Sequence, residues 1–316
     1  MEIHPDIVSA IGDTPLVRLS RLHPPGNLLA KVEYVNPGGS VKDRIALGMI
    51  LAAERDGELS PGDTIVEPTS GNTGTGLAMV AALRGYRLIA VMADKQSKEK
   101  QDLLKAYGAE VVVCPTDVEP DDPRSYYSVA AELAGRPGHF RPDQYSNPAN
   151  PAAHVESTGP EIWRQTDGQI GILVVGVGTG GTITGTARYL KEQSPHLRVI
   201  GVDPEGSIYT APSDDDVTTY LTEGVGEDFW PTTFDPDVVD DYEMVTDAEA
   251  FAMTRRVVRE EGLLVGGSCG MALVGAIRVA EANPDDLVVV ILPDGGRNYL
   301  SRIFDDDWMT DHGFET

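Results

Sequence analysis

Asn36-Pro37-Gly38-Gly39-Ser40-Val41-Lys42-Asp43-Arg44 reads as a loop feeding a helix. Pro37, Gly38 and Gly39 break regular structure, and Val41, Ile45, Met49 and Ile50 then recur at the three-to-four spacing of a buried helix face. Ser40 is a good N-cap, and Asp43 three residues later completes a capping-box-like pair. Lys42 therefore falls in the first turn, at the positive end of the helix dipole, where a cation is disfavoured by roughly 0.3–1 kcal/mol. That place suits a lysine whose chemistry needs a neutral amine, as Schiff-base formation does. Taken alone, it also suits a surface lysine beside a helix start.

Outward from Lys42, apolar runs alternate with helical stretches. Residues 28–32, 64–66, 87–92, 110–113, 172–176, 199–202 and 287–292 read as strands, and Thr73 to Leu83 and Ala248 to Glu261 as helices. Continuous apolar strands separated by helices predict an α/β fold with parallel sheets covered on both faces. The polar stretch from Gly135 to Pro151, rich in Pro and Gly, reads as a domain connection. With 316 residues and 41% hydrophobic content, the chain can fill two cores.

Three further motifs carry chemistry. Glu67-Pro68-Thr69-Ser70-Gly71-Asn72-Thr73-Gly74 lies between a strand and a helix. The hydroxyls of Thr69, Ser70 and Thr73, with the N–H groups of a helix start, suit a carboxylate or phosphate, and Gly71 and Gly74 allow close approach. Turn capping is the competing reading. Gly176-Val177-Gly178-Thr179-Gly180-Gly181-Thr182 follows another strand and satisfies GxGxxG, with Asp203 placed where a ribose-binding acid could sit. An NAD-dependent oxidoreductase is therefore a rival, although the Thr179 and Thr182 hydroxyls suit a terminal phosphate better than a pyrophosphate. Gly266-Gly267-Ser268-Cys269-Gly270 places Ser268 before an apolar helix, where an N-cap is the plain reading.

Together these segments resemble the fold-type II pyridoxal-phosphate enzymes, the cysteine synthase and cystathionine β-synthase family, from Ile11-Gly12-Asp13-Thr14-Pro15 to Trp308. The resemblance implies a two-domain, tryptophan synthase β-like architecture. Residues 39–148 would form a smaller domain inserted into a larger one made of 1–38 and 149–316. It implies pyridoxal 5'-phosphate as cofactor, with Lys42 as its covalent anchor and general base. Asn72 would contact the ring oxygen, Gly178, Thr179, Gly180, Gly181 and Thr182 the phosphate, and Ser268 the pyridine nitrogen. Thr69, Ser70, Gly71, Thr73 and Gln144 would hold the substrate's α-carboxylate. A neutral hydroxyl at the ring nitrogen makes a weaker electron sink than an Asp would, and so favours loss of a β-substituent over transamination. The expected reaction is β-replacement on serine or an O-activated serine, through an aminoacrylate, with a thiol or sulfide as acceptor.

Within the family, Val202-Asp203-Pro204-Glu205-Gly206-Ser207 and the segment from Leu292 to Met309 look like cystathionine β-synthase. Thr158-Gly159-Pro160-Glu161-Ile162-Trp163 looks like cysteine synthase, and Glu227 stands where cystathionine β-synthases often carry tyrosine. The chain reads as a catalytic core without the haem segment or the paired regulatory repeats of longer members. The family implies a homodimer.

Fifty acidic residues against 25 basic give a net charge of −25. A dispersed acidic surplus argues against nucleic-acid binding. It fits a halophile's cytoplasm, where molar salt shortens screening to about 3 Å. No apolar run of membrane-spanning length and no signal peptide are visible, and Cys114 and Cys269 form no CxxC pair. The six histidines show no metal-ligand spacing, so no metal site is expected. Cys269 reads as a small packing residue, with redox sensitivity as the alternative.

Overall fold

The computed structural model describes residues 3–23, 25–69, 71–94, 98–115, 117–119 and 122–316. In chain order the regular elements are β1 (Leu16–Arg18), β2 (Leu28–Val32), α1 (Lys42–Asp56), β3 (Thr64–Pro68), α2 (Asn72–Arg84) and β4 (Arg87–Ala93). These are followed by α3 (Lys98–Ala106), β5 (Glu110–Cys114), α4 (Tyr126–Ala134), β6 (His139–Phe140), α5 (Ala149–Ala153) and α6 (Gly159–Gln165). The last part contains β7 (Ile170–Gly176), α7 (Gly181–Gln193), β8 (Arg198–Pro204), β9 (Asp241–Val245), α8 (Asp247–Glu261), α9 (Gly267–Ala282), β10 (Leu287–Leu292) and α10 (Asp306–Asp311). The chain divides into two compact units, residues 1–11 with 41–150 and residues 12–40 with 151–316.

In the first unit the described strands form a parallel sheet ordered β5-β4-β3-β6. Successive side chains of a strand point to opposite faces, and both faces here are apolar and covered. Ile65, Leu88, Ala90 and Met92 pack with Ile50, Leu77 and Leu104 on one side. Val66, Ile89 and Val91 pack with Cys114 and Ala130 on the other. Val8, only 6% exposed, belongs to the first of these cores, and Ile11 lies against it. The first eleven residues therefore go with the smaller unit, contrary to the sequence expectation for 1–38. The stretch from Gly135 to Pro151 is also more than a connection. It contributes β6 to the sheet, and Gln144 and Asn150 within it are buried.

In the second unit the order is β1-β2-β10-β7-β8-β9, parallel except for the antiparallel edge pair β1 and β2. Ala30, Val174, Val202 and Val290 face Met271, Leu273 and Ala276 of α9. Leu29, Leu173, Val175 and Val289 face Ile162, Ile183 and Leu190 of α6 and α7. Lys31 interrupts the second face. It is fully buried, and its Nζ donates to Glu161 Oε2 at 2.6 Å, to the Thr14 carbonyl at 2.7 Å and to Gln165 Oε1 at 2.9 Å. A buried cation persists only when its partners replace the lost water. Nearby, buried Glu33 accepts from the Thr14 hydroxyl at 2.6 Å and from Asn36 Nδ2 at 2.8 Å. Asn36 also accepts the Gly12 N–H at 2.9 Å, so this network fixes the chain just before the Lys42 motif.

Glu161→Ala leaves the Lys31 charge buried without its carboxylate, and we expect a loss of about 3 kcal/mol in denaturant unfolding. The double change Lys31→Met with Glu161→Met should recover most of that loss, because no uncompensated charge remains.

Candidate active site

A parallel sheet gathers its βα loops at the carboxyl ends of the strands, and a crevice opens where the strand order reverses direction. In the first unit the reversal lies at β3, with β4 on one side and β6 on the other. The segment after β3 holds Thr69, Gly71, Asn72 and Thr73, and the segment after β6 leads to Gln144. The Thr73 hydroxyl donates to Gln144 Oε1 at 2.6 Å, joining residues 71 positions apart. Thr69 Oγ1 accepts the Gly74 N–H at 3.0 Å. A Cβ at Gly71 would meet nothing within 4 Å, so the approach to this loop is open. Ser70 lies outside the described residues.

Lys42 belongs to the same unit and is the first residue of α1. The helix packs closely on α2: a Cβ at Gly76 would fall 2.9 Å from Ala46 Cβ and 3.2 Å from the Lys42 carbonyl oxygen. The structure thus brings Lys42 within about one helical turn of the Asn72 loop. The expected cap is corrected. Val41, not Ser40, is the N-cap, and no side chain caps this helix. Ser40 is fully buried and forms an isolated antiparallel bridge with Asp294, so its backbone is committed before the helix begins.

In the second unit the reversal lies at β7, between β8 and β10. The loop Gly176 to Thr182 leaves β7 there and enters α7. Gly178 and Gly180 are sterically required. A Cβ at Gly178 would lie 2.6 Å from the Gly224 carbonyl oxygen, and one at Gly180 (φ +78°) only 2.3 Å from Phe234 Cβ. The Tyr209 hydroxyl donates to the Gly178 carbonyl and the Thr233 hydroxyl to the Thr179 carbonyl, both at 2.6 Å. Thr182 Oγ1 lies 3.2 Å from Nε2 of the fully buried His154, whose Nδ1 is 2.8 Å from Thr158 Oγ1. With their carbonyls tied back in this way, the residues of the loop are held as a rigid approach to the start of α7. Ser268 is 3% exposed and sits in the first turn of α9; its carbonyl would be 3.9 Å from a Cβ at Gly176. Gly266, not Ser268, is the cap.

The starts of α2, α7 and α9 share one feature. Each has a glycine N-cap, Gly71, Gly180 or Gly266, which supplies no capping side chain, although in α2 the Thr69 hydroxyl takes the Gly74 N–H and leaves those of Asn72 and Thr73. Structural helices elsewhere are capped by Ser125, Thr246 and Asp305. First-turn N–H groups and the positive dipole end are thus presented to an anion in both units. The residues fit a phosphorylated pyridine cofactor: a rigid glycine-threonine cradle for the phosphate and a buried hydroxyl, rather than a carboxylate, for the ring nitrogen.

The dinucleotide reading fails on Asp203. Its side chain is fully buried at the end of β8, where Oδ2 accepts from the Thr210 hydroxyl at 2.8 Å, and burial raises its carboxyl to about 6. Cys269 is fully buried, its thiol is pushed well up by burial, and Sγ donates to the Asp294 carbonyl at 3.3 Å. It is a packing residue, since a thiol kept protonated and shielded is a poor nucleophile. Among the described residues no group of three or more His, Cys, Asp or Glu could hold a metal ion. None of their helices is long and apolar enough to cross a membrane. Tyr209, Thr233 and His154 escaped the sequence reading, because each reaches the glycine loop from 28 to 54 residues away and leaves no local pattern.

Residues 7–294 match the pyridoxal-phosphate dependent enzyme family, and the chain belongs to it. It is 51% identical to cystathionine beta-synthase of Oryctolagus cuniculus over 99% of this chain and 58% of that protein. It is 48% identical to the Apis mellifera enzyme of the same name, over 99% and 64%. The chain thus spans about three-fifths of the length of these relatives. Among solved structures, O-ureido-L-serine synthase is 40% identical with a TM-score of 0.89, covering 98% of this chain and all of that one. A hydrogen sulfide-producing enzyme from Fusobacterium nucleatum is 35% identical, also at 0.89, covering 95% and 99%.

Gly180→Ala combines a positive φ with a collision, and about 3 kcal/mol of lost stability is expected. Gly224→Ala has a similar φ (+85°) but open space around it, so about 1 kcal/mol is expected. Thermal unfolding of the two variants separates backbone strain from steric clash; equal losses would contradict the packing described for the glycine loop.

Proposed function

We propose that the protein catalyses pyridoxal-phosphate-dependent β-replacement on serine or an O-activated serine with a thiol acceptor, in the manner of cystathionine β-synthase. The Thr73 to Gln144 contact beside the open Gly71 is the observation that carries this reading. It would make a polar carboxylate seat in the same unit as a lysine at a helix start. Support comes from the family match and from the curated relatives named cystathionine beta-synthase. The two compact units would correspond to the smaller, inserted domain and the larger domain.

Bound pyridoxal phosphate would supply an electron-accepting ring and a carbonyl carbon for amine attachment. Gly178 to Thr182 would bind its phosphate through backbone N–H groups and the Thr179 and Thr182 hydroxyls. Asn72 would contact the ring oxygen. Thr69, Ser70, Gly71, Thr73 and Gln144 would orient the substrate carboxylate. Lys42 Nζ would anchor the cofactor, then take the Cα proton as general base, helped by a helix start that disfavours its cationic form. Ser268 would keep the ring nitrogen unprotonated and bias the chemistry toward loss of the β-substituent.

Cysteine synthesis from O-acetylserine and sulfide is the second reading. It is favoured by Glu227, half-buried after the Gly224-Val225-Gly226 turn that packs on the glycine loop. An extra carboxylate in that region would work against a larger amino-acid thiol carrying its own carboxylate. A cytoplasmic homodimer adapted to high salt completes the proposal; Asp214-Asp215-Asp216 and Asp305-Asp306-Asp307 are exposed, as a solvated acidic surface requires.

Purified protein should show a visible cofactor band that moves on addition of serine or O-acetylserine, and the effective donor identifies the subclass. Lys42→Ala should abolish turnover, by at least about a thousandfold for loss of a base and covalent anchor, with thermal stability little changed. A variant that keeps substantial activity would refute the assignment. Raising KCl from 0.1 M to 3 M should raise the melting temperature; full stability and activity at low salt would refute the halophilic part.

A further inference from the structure

We infer that Glu67 is a positioning residue that sets affinity for the substrate carboxylate by holding the Gln144 segment in its binding conformation. This rests on the carboxylate-binding role proposed for Gln144. Glu67 lies near the end of β3 and is 1% exposed. The β3–β6 ladder pairs Thr64 with His139 and Ile65 with Phe140, and β6 ends there. Beyond that point the Glu67 side chain continues the connection. Oε2 accepts the Asp143 N–H at 3.0 Å and Oε1 the Gln144 N–H at 3.2 Å.

Gln144 is thereby tied at three places. Its N–H goes to Glu67, its carbonyl accepts from Asn150 Nδ2 at 2.7 Å, and its side-chain oxygen accepts from the Thr73 hydroxyl. Asp143 has a φ of +52°, a strained value for a residue with a side chain, and its N–H bond to Glu67 helps to hold it there. Two consecutive N–H donors, one on each oxygen, suit a carboxylate, whose oxygens both accept strongly; a carboxamide offers one acceptor oxygen, and a carboxylic acid one good acceptor and one weak one. An ionised group is costly at this depth, and the two N–H bonds offset part of that cost.

Burial raises the Glu67 carboxyl to about 7 despite the two N–H bonds. The charged groups that face it are Arg141, which favours the anion, and Asp143, which opposes it. Because the folded-state value is raised above the ordinary 4.5, the stability contributed by this group is complete below about 4.5 and is lost as pH rises through about 7. The hold on Gln144 has the opposite dependence. It needs both oxygens as acceptors, so it is strongest above about 7 and weakens as the carboxyl protonates.

The test is KM and kcat for the amino-acid donor from pH 6 to 8.5 in wild type, Glu67→Gln, Gln144→Ala and the double variant. For wild type we expect KM to rise about tenfold from pH 8 to pH 6, with kcat changing less. Glu67→Gln should have a KM about tenfold above wild type at pH 8 and no comparable rise at pH 6. The double variant should add little to Gln144→Ala, because Glu67 acts through that residue. Independently of activity, the melting temperature of the apoprotein should fall between pH 4.5 and 7 in wild type, and Glu67→Gln should lack that component. A Glu67→Gln enzyme with wild-type KM and pH profile overturns the inference, and so does additivity in the double variant. If Glu67→Gln does not fold, a flat wild-type KM across this range overturns it equally. Gln144→Ala with unchanged KM would instead refute the carboxylate role of Gln144, while a raised KM there beside a wild-type-like Glu67→Gln would sink only the role of Glu67.

Discussion

Parallel strands cannot be joined by tight turns, and this constraint governs both units. Each strand must return by a crossover, so each crossover helix starts at the carboxyl edge of the sheet with its free N–H groups and positive dipole end. Where strand order reverses, two such edges diverge and leave a crevice. In one unit that point receives Thr69, Gly71, Asn72, Thr73 and Gln144; in the other it receives the glycine loop and, through α9, Ser268. The glycine caps add no capping side chain at these helix starts, although the Thr69 hydroxyl takes one N–H of α2, whereas Thr246 closes the start of α8 with a full capping box.

Around these edges, buried carboxyl groups are used to hold loops. Glu33 and Asn36 fasten the chain that leads to Lys42, and Glu67 fastens the chain that carries Gln144. Asp203 holds Thr210, and Asp294 accepts from the Tyr299 hydroxyl at 2.8 Å while its backbone bridges to Ser40. Each of these carboxylates is nearly inaccessible to water. A buried polar group tolerates few alternative arrangements, because every other geometry leaves it unsatisfied. That makes it a good means of giving a loop one conformation beside a ligand, where apolar packing is unavailable.

Much of this was legible in the sequence. The run Leu287 to Leu292 is β10 to the residue, and Val41, Ile45, Met49 and Ile50 are all buried as their spacing predicts. These signals are strong because both faces of a parallel strand, and one face of a helix, must be apolar. The short strands β1, β6 and β9 were missed, since two to five residues at the edge of a sheet carry little pattern. The cap was misassigned because Ser40 has the right chemistry at the right distance, and only its bridge to Asp294 excludes it. The stretch around Gln144 reads as a connection because its polar composition resembles that of an exposed loop, whereas its polar groups are satisfied internally.

Sequence by itself therefore determined the α/β class, the order of the principal elements, the four motifs and the family, all of which are encoded in contiguous residues. Only the tertiary structure decided which motifs share a unit: Lys42 beside the Asn72 loop and Gln144, and Ser268 beside the glycine loop. It alone placed Tyr209, Thr233 and His154 against the glycine loop, and it alone turned Glu67 from a strand-end acid into the clamp on Gln144. The reason is physical. Periodicity and capping act within a few residues of the chain, whereas burial of a charge and closure of a hydrogen bond depend on what folding brings alongside from far away in sequence.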